Sequence, residues 1–178
     1  MAGKITRKCF ISYHHDDQKY VDNFVKTFDE EKGVFIVRAL GVMDQGIIES
    51  TDTDYIMRRI REKYLTDSTV TIVLIGKCTW ARQYVDWEIA STLRNDPNNK
   101  RSGLVAINLP YVNDTPTTLP PRFKDNWKSD GSGYAKWYKY PTSASGLAEI
   151  IEEAYGARDG KADRIDNTRA LARSNKDC

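Results

Sequence analysis

Histidine and cysteine are scarce in this chain. Of its 178 residues two are histidines, the adjacent His14 and His15, and three are cysteines, Cys9, Cys78 and Cys178. The cysteines are odd in number, widely spaced and without a C-x-x-C, so neither a disulfide framework nor a zinc site is expected. Cys9 lies in an apolar run and reads as a small core hydrophobe. Neighbouring side chains on an extended segment face opposite ways, so a metal shared by His14 and His15 is not expected either. Charge of one sign is also lacking. The net charge is +2, which does not by itself mark a nucleic-acid binder. No apolar run approaches the roughly 18 residues of a membrane span. The opening "MAGKITRKCFISY" has no apolar stretch of signal-peptide length, so the cytoplasm is the expected location.

Several catalytic signatures are missing too. There is no G-x-x-x-x-G-K-[ST] phosphate loop and no G-x-G-x-x-G after the first strand-like run, which excludes P-loop and Rossmann nucleotide cradles. H-E-x-x-H and G-x-S-x-G are absent, leaving zinc proteases and nucleophile-elbow hydrolases unsupported. A phospho-receiver would need an acid at the end of the central strand, where this chain has Gly76.

Present instead are three apolar runs of strand length: Lys8–Tyr13, Ser68–Gly76 and Ser102–Leu109. The second is nearly continuous and β-branched, the pattern of a strand buried on both faces. Helical spacing recurs between them: behind Asp16 and Asp17, which can cap; from Thr53 or Asp54; from about Ala81; and from about Ser143. "GVFIVRALGVMDQG" reads as a short strand and a long loop, and "YAKWYKY" as a last strand. Alternating strands and helices predict an α/β fold, a flavodoxin-like parallel sheet of about five strands. Residues 113–133, with Pro116, Pro120 and Pro121, read as an irregular insertion. The domain is expected to span residues 1–156. Residues 157–178 form a polar tail, disordered or a loosely docked helix, whose arginines are more simply solvated than bound to nucleic acid.

In such a sheet, sites open outside the carboxyl ends of the strands. "SYHHDD", the loop with Asp44 and Asp52, and "GKCTWARQ" leave those ends here. Taken alone, Glu88 in "WARQYVDWEIAST" reads as a solvated acid or a partner for Arg82, and acids in loops such as Asp44 and Asp52 are usually solvated.

Two boxes change that reading. "KCFISYHHDD" resembles the first box of toll/interleukin-1 receptor (TIR) domains. "STVTIVLIGKCTWARQYVDWEI" resembles their central strand and the segment carrying the family's glutamate, with Tyr84 in the place usually held by Trp. More narrowly, the chain resembles TIR-like proteins of the bacterial Thoeris anti-phage system, over about residues 8–110. The resemblance implies cleavage of NAD at the nicotinamide–ribose bond, giving a cyclic or modified ADP-ribose messenger that activates a separate effector. By position Glu88 would be the catalytic glutamate, with Ser12, Tyr13, His14, Tyr84 and Trp87 binding substrate. NAD is then substrate rather than cofactor, no metal is implied, and a homo-oligomer is an expected partner.

The chemistry is consistent with one acid. Nicotinamide leaves NAD as a neutral molecule and needs no protonation, so the second carboxyl group of a glycosidase is dispensable. One carboxylate can stabilise the developing oxocarbenium charge while rings hold the reactive centre. Tyr84 and Trp87 cannot share one narrow face, and Tyr84, with Val85 and Ile89, is the one expected to be partly buried. Two rival readings remain: a non-catalytic TIR scaffold acting by self-association, and a nucleoside deoxyribosyltransferase-like enzyme with a nucleophilic glutamate.

Overall fold

The computed structural model describes residues 5–40, 49–97 and 100–178. The sheet is built from β1 (Arg7–Ser12), β2 (Phe35–Leu40), β3 (Val70–Ile75), β4 (Gly103–Asn108) and β5 (Lys136–Tyr138). All four pairings are parallel and the order is β2-β1-β3-β4-β5. This is the expected flavodoxin-like α/β fold. The direction of winding reverses between β1 and β3, where Ser12 pairs with Val73. A crevice at that reversal is where such sheets place their sites.

The helices are α1 (Gln18–Val25), α2 (Thr53–Ile60), α3 (Gln83–Leu93), α4 (Pro121–Asn126) and α5 (Ala144–Gly160). All six residues of β3 and of β4 are buried, as an apolar run covered on both faces requires. Side-chain alternation then divides the core. Cys9, Ile11, Ile72 and Leu74 face Val21 and Phe24 of α1 and Leu147 and Ile151 of α5. On the other face, Val73, Ile75 and Ala106 meet Val85 and Ile89 of α3 and Phe123 of α4, while Phe10 meets Ile56 and Ile60 of α2.

Several local expectations are revised. Asp17 precedes α1 but makes no side-chain cap, because its carboxylate is engaged elsewhere. Helix α2 starts at Thr53, within the expected pair, and Asp52 caps it, accepting from Tyr55 N at 3.1 Å. Ser143 caps α5 as the pattern suggests. The stretch 113–133 is not wholly irregular, since Pro121 opens α4 in the first helical turn, where its missing N–H costs nothing. Asp44 lies outside the described residues. No helix among the described residues is long and apolar enough to cross a membrane.

The largest revision is the tail. The expected boundary at residue 156 falls inside α5, which runs on to Gly160. After a short turn at Ala162–Arg164 the chain continues without helix as a strap over α3 and α4. Cys178 closes it through a disulfide to Cys78, with Cα atoms 5.6 Å apart across a sequence separation of 100. The expectation of no disulfide fails because Cys9 is the spare: it is buried in the core, and the other two pair.

Candidate functional site around Glu88

Helix α3 follows β3 through a tight exit. A Cβ at Gly76 would stand 2.1 Å from Asp17 Oδ2 and 2.4 Å from the Tyr111 hydroxyl, so a larger residue there would displace both side chains. The helix is then held at both ends by other segments. Asn175 Oδ1 of the strap accepts from Gln83 N at 2.9 Å and so caps the amino end. At the carboxyl end the buried Arg61 guanidinium donates to Ser91 O at 2.6 Å and to Arg94 O, a cation placed where the helix dipole favours one. Every residue from Val85 to Leu93 is buried. The amphipathic pattern expected of this helix is therefore absent, because the strap covers the side that would otherwise face water.

Glu88 is 1% exposed. The Ser12 hydroxyl, at the end of β1, donates to its Oε2. Its Oε1 is buried and has no hydrogen-bond partner. Burial pushes the carboxyl up from 4.5 to about 8, partly opposed by the Ser12 hydrogen bond. A buried carboxyl oxygen without a partner is costly.

Other expected residues divide around this acid. Tyr84 lies one turn before Glu88 on the same face; it is half-buried, as expected, and its hydroxyl is 3.2 Å from His15 Nδ1. Burial, and then the Glu88 carboxylate, hold its phenol above the ordinary range. Tyr13 is a core residue of the α1 face whose hydroxyl donates to Gln18 Oε1 at 2.5 Å. Burial raises the pKa of its phenol, against the Gln18 hydrogen bond, with smaller contributions from Asp22 and then Glu88. His14 is buried beside the strand end, and burial lowers its pKa.

Trp87 is not brought to the site. Its ring packs with Phe10, Ile56, Ile60 and Leu65, and its Nε1 donates to Ala172 O of the strap at 2.8 Å. One position from Glu88 the helix has turned by about 100°, and that carries the indole to the α2 side.

His14 and His15 do not diverge as an extended segment would force them to. The chain turns there, the rings meet edge to face at 4.6 Å, and with Asp16 they bring ligand atoms within 4.8 Å of one another. His15 and Asp16 are exposed, and only His14 is buried.

One acid escaped the sequence reading as a site residue. Asp17 is 5% exposed; its Oδ1 accepts from Tyr111 OH at 2.7 Å, and its Oδ2 is buried without a partner. Burial raises its carboxyl, against the Tyr111 hydrogen bond. Gly76, which looked only like a missing phospho-acceptor, was the signal: it leaves room for this carboxylate.

Residues 10–114 match a family described as Thoeris protein ThsB, TIR-like domain. No curated protein matches the chain.

Proposed function

Because this chain belongs to the TIR-like family of the Thoeris protein ThsB, which implies a role in anti-phage defence, we propose that it cleaves NAD at the nicotinamide–ribose bond and releases a cyclic or modified ADP-ribose messenger. One observation carries the proposal: Glu88 sits at the sheet's reversal, held by Ser12 on one oxygen and unpaired on the other. A cationic nicotinamide riboside entering beside that carboxyl lowers its pKa and ionises it, since an opposite charge favours the charged form. The carboxylate then stabilises positive charge as the glycosidic bond breaks and nicotinamide leaves neutral. Ser12 fixes the carboxylate, and Tyr84 and the His14–His15 pair border its approach. Water competes with any internal nucleophile for the anomeric carbon, so the burial of the site favours cyclisation. The messenger diffuses to a separate effector, and NAD as substrate places the protein in the cytoplasm.

The test is incubation with NAD and resolution of products by mass. Wild type forms free nicotinamide and an ADP-ribose derivative, and Glu88→Gln forms neither. Identical products from both proteins would remove Glu88 from the reaction. A second reading, the self-associating scaffold, is favoured by the same burial, because a carboxyl 1% exposed admits no substrate until something opens. Wild type inert toward NAD but assembling into defined oligomers would select it. Turnover of deoxynucleosides would select the transferase reading.

A further inference from the structure

Between the segment after β4 and the strap lies a groove of another character. Among the described residues its lining takes none from α3, so Glu88 is not part of it. The groove is a cavity of about 570 Å³ drawn from the segments after β3 and β4, from β5 and from the strap. Three of the protein's four tryptophans line it, Trp80, Trp127 and Trp137, each only half-buried. Trp127 and Trp137 stand edge to face with centroids 5.7 Å apart. Trp137 Nε1 donates to Asn108 Oδ1 at 2.7 Å, which fixes the ring.

The charges are arranged around those rings. Lys124, Arg169 and Lys176 reach the groove, and so does one acid, Asp125. Arg169 takes that acid in a two-pronged pair at 2.7 and 2.8 Å. Lys124 and Lys176 have no acidic partner among the described residues. Two free ammonium groups beside three rings held partly in water serve no packing need. Trp87 shows what this fold does with a tryptophan used for packing: it is 2% exposed.

We propose that this groove is a second binding site, separate from Glu88, for a ligand joining a planar aromatic ring to a phosphate, the chemistry of a nucleotide. The cavity falls in the size range of small-molecule sites. The indoles offer stacking surfaces that tolerate any base, and the lysines supply charge-assisted donors to phosphate. A nucleoside lacks the anion and inorganic phosphate lacks the ring, so each engages half of the site. The strap supplies Arg169 and Lys176, which joins occupancy of the groove to the seating of the tail on α3.

The experiment is calorimetric titration of the full chain with AMP, adenosine and inorganic phosphate, with tryptophan fluorescence followed in parallel. AMP binds saturably and quenches the fluorescence, while adenosine and phosphate each bind about tenfold or more weakly. Lys124→Glu, at an exposed position, weakens AMP binding about tenfold with the fold intact by circular dichroism. Trp80→Ala weakens it too, and Glu88→Gln leaves it unchanged. The proposal is overturned by absence of saturable AMP binding, by phosphate binding as well as AMP, by an inert Lys124→Glu, or by loss of binding in Glu88→Gln. That last result would put the nucleotide in the other site.

Discussion

Asp86 and Glu88 lie two residues apart on α3 and are 6% and 1% exposed, yet their surroundings differ at every atom. Arg122 grips Asp86 with Nε at 2.8 Å from Oδ1 and Nη2 at 3.2 Å from Oδ2. Ala172 N of the strap adds a third bond to Oδ2 at 2.8 Å. Arg122, itself 1% exposed, turns its remaining donors to Asn167 Oδ1 at 2.9 Å and Ala170 O at 3.1 Å. Glu88 has one hydroxyl on one oxygen and nothing on the other. A buried charge that supports the fold is surrounded by partners, as Asp86 is; a buried carboxyl left half unpaired weakens the fold, and the proposed reaction would give it a use. Burial alone therefore does not distinguish the two acids on this helix, and partner count does.

The comparison is broken most severely from the Asp86 side. Asp86→Ala leaves the Arg122 guanidinium buried without its counter-charge and frees the strap at Ala172. The expected loss is about 3–5 kcal/mol of unfolding free energy, read from urea denaturation. Replacing Asp86 and Arg122 together with apolar residues of similar size recovers most of it, since no orphan charge then remains. A loss under about 1 kcal/mol for Asp86→Ala would mean that the ion pair does not hold the strap.

Next in size is the covalent end of the same strap. Cys178→Ser removes a crosslink that closes a loop across a sequence separation of 100, which costs about 2–4 kcal/mol through the unfolded chain. A thiol reductant added to the wild type lowers stability by the same amount and leaves Cys178→Ser unchanged. This matters for the proposed setting, because a cytoplasmic thiol pool works against such a bond. In the reduced form the strap stays seated through noncovalent contacts, among them those of Gln83, Asp86, Trp87, Arg122 and Asn126 and the Arg169–Asp125 pair. An unchanged midpoint in reductant would show that these contacts suffice.

The contrast also shows how far the residues alone could be read. β1, β3 and β4 come within two residues of their expected limits because uninterrupted apolar runs in a doubly covered sheet leave little choice of register. Glu88 and Ser12 were read through the family resemblance, since Glu88 taken alone looks solvated; in the fold this strand end and helix turn, 76 residues apart, meet where the sheet reverses. Trp87 was misread because a helix buried all round offers no apolar stripe from which to choose a face. What buries it, the strap, was hidden for a related reason. Asn167, Asn175 and the carbonyls of Ala170 and Ala172 hold it by hydrogen bonds that leave no hydrophobic period in the sequence. The partner of Asp86 was hidden likewise, since Arg122 lies 36 residues away in a proline-rich segment that read as irregular.

The smallest effect carries the opposite sign, and it follows from the carboxyl raised to about 8. In the unfolded chain Glu88 ionises near its ordinary value of 4.5, while in the folded chain it keeps its proton up to about pH 8. Between those values the unfolded state sheds a proton that the native state retains, so this group destabilises the fold progressively as pH rises from about 4.5 to about 8 and by a constant amount beyond. Glu88→Gln abolishes that dependence. Relative to wild type the variant should gain on the order of 2 kcal/mol or more between pH 4 and pH 8, on top of a pH-independent cost of burying an amide with incomplete partners. Paired urea titrations at pH 4, 6 and 8 measure the divergence. A difference between variant and wild type that does not change from pH 4 to pH 8 would mean that burial does not hold the Glu88 carboxyl protonated, and the distinction from Asp86 would disappear. A variant more stable and catalytically dead would show one side chain weakening the fold and supporting the reaction at once.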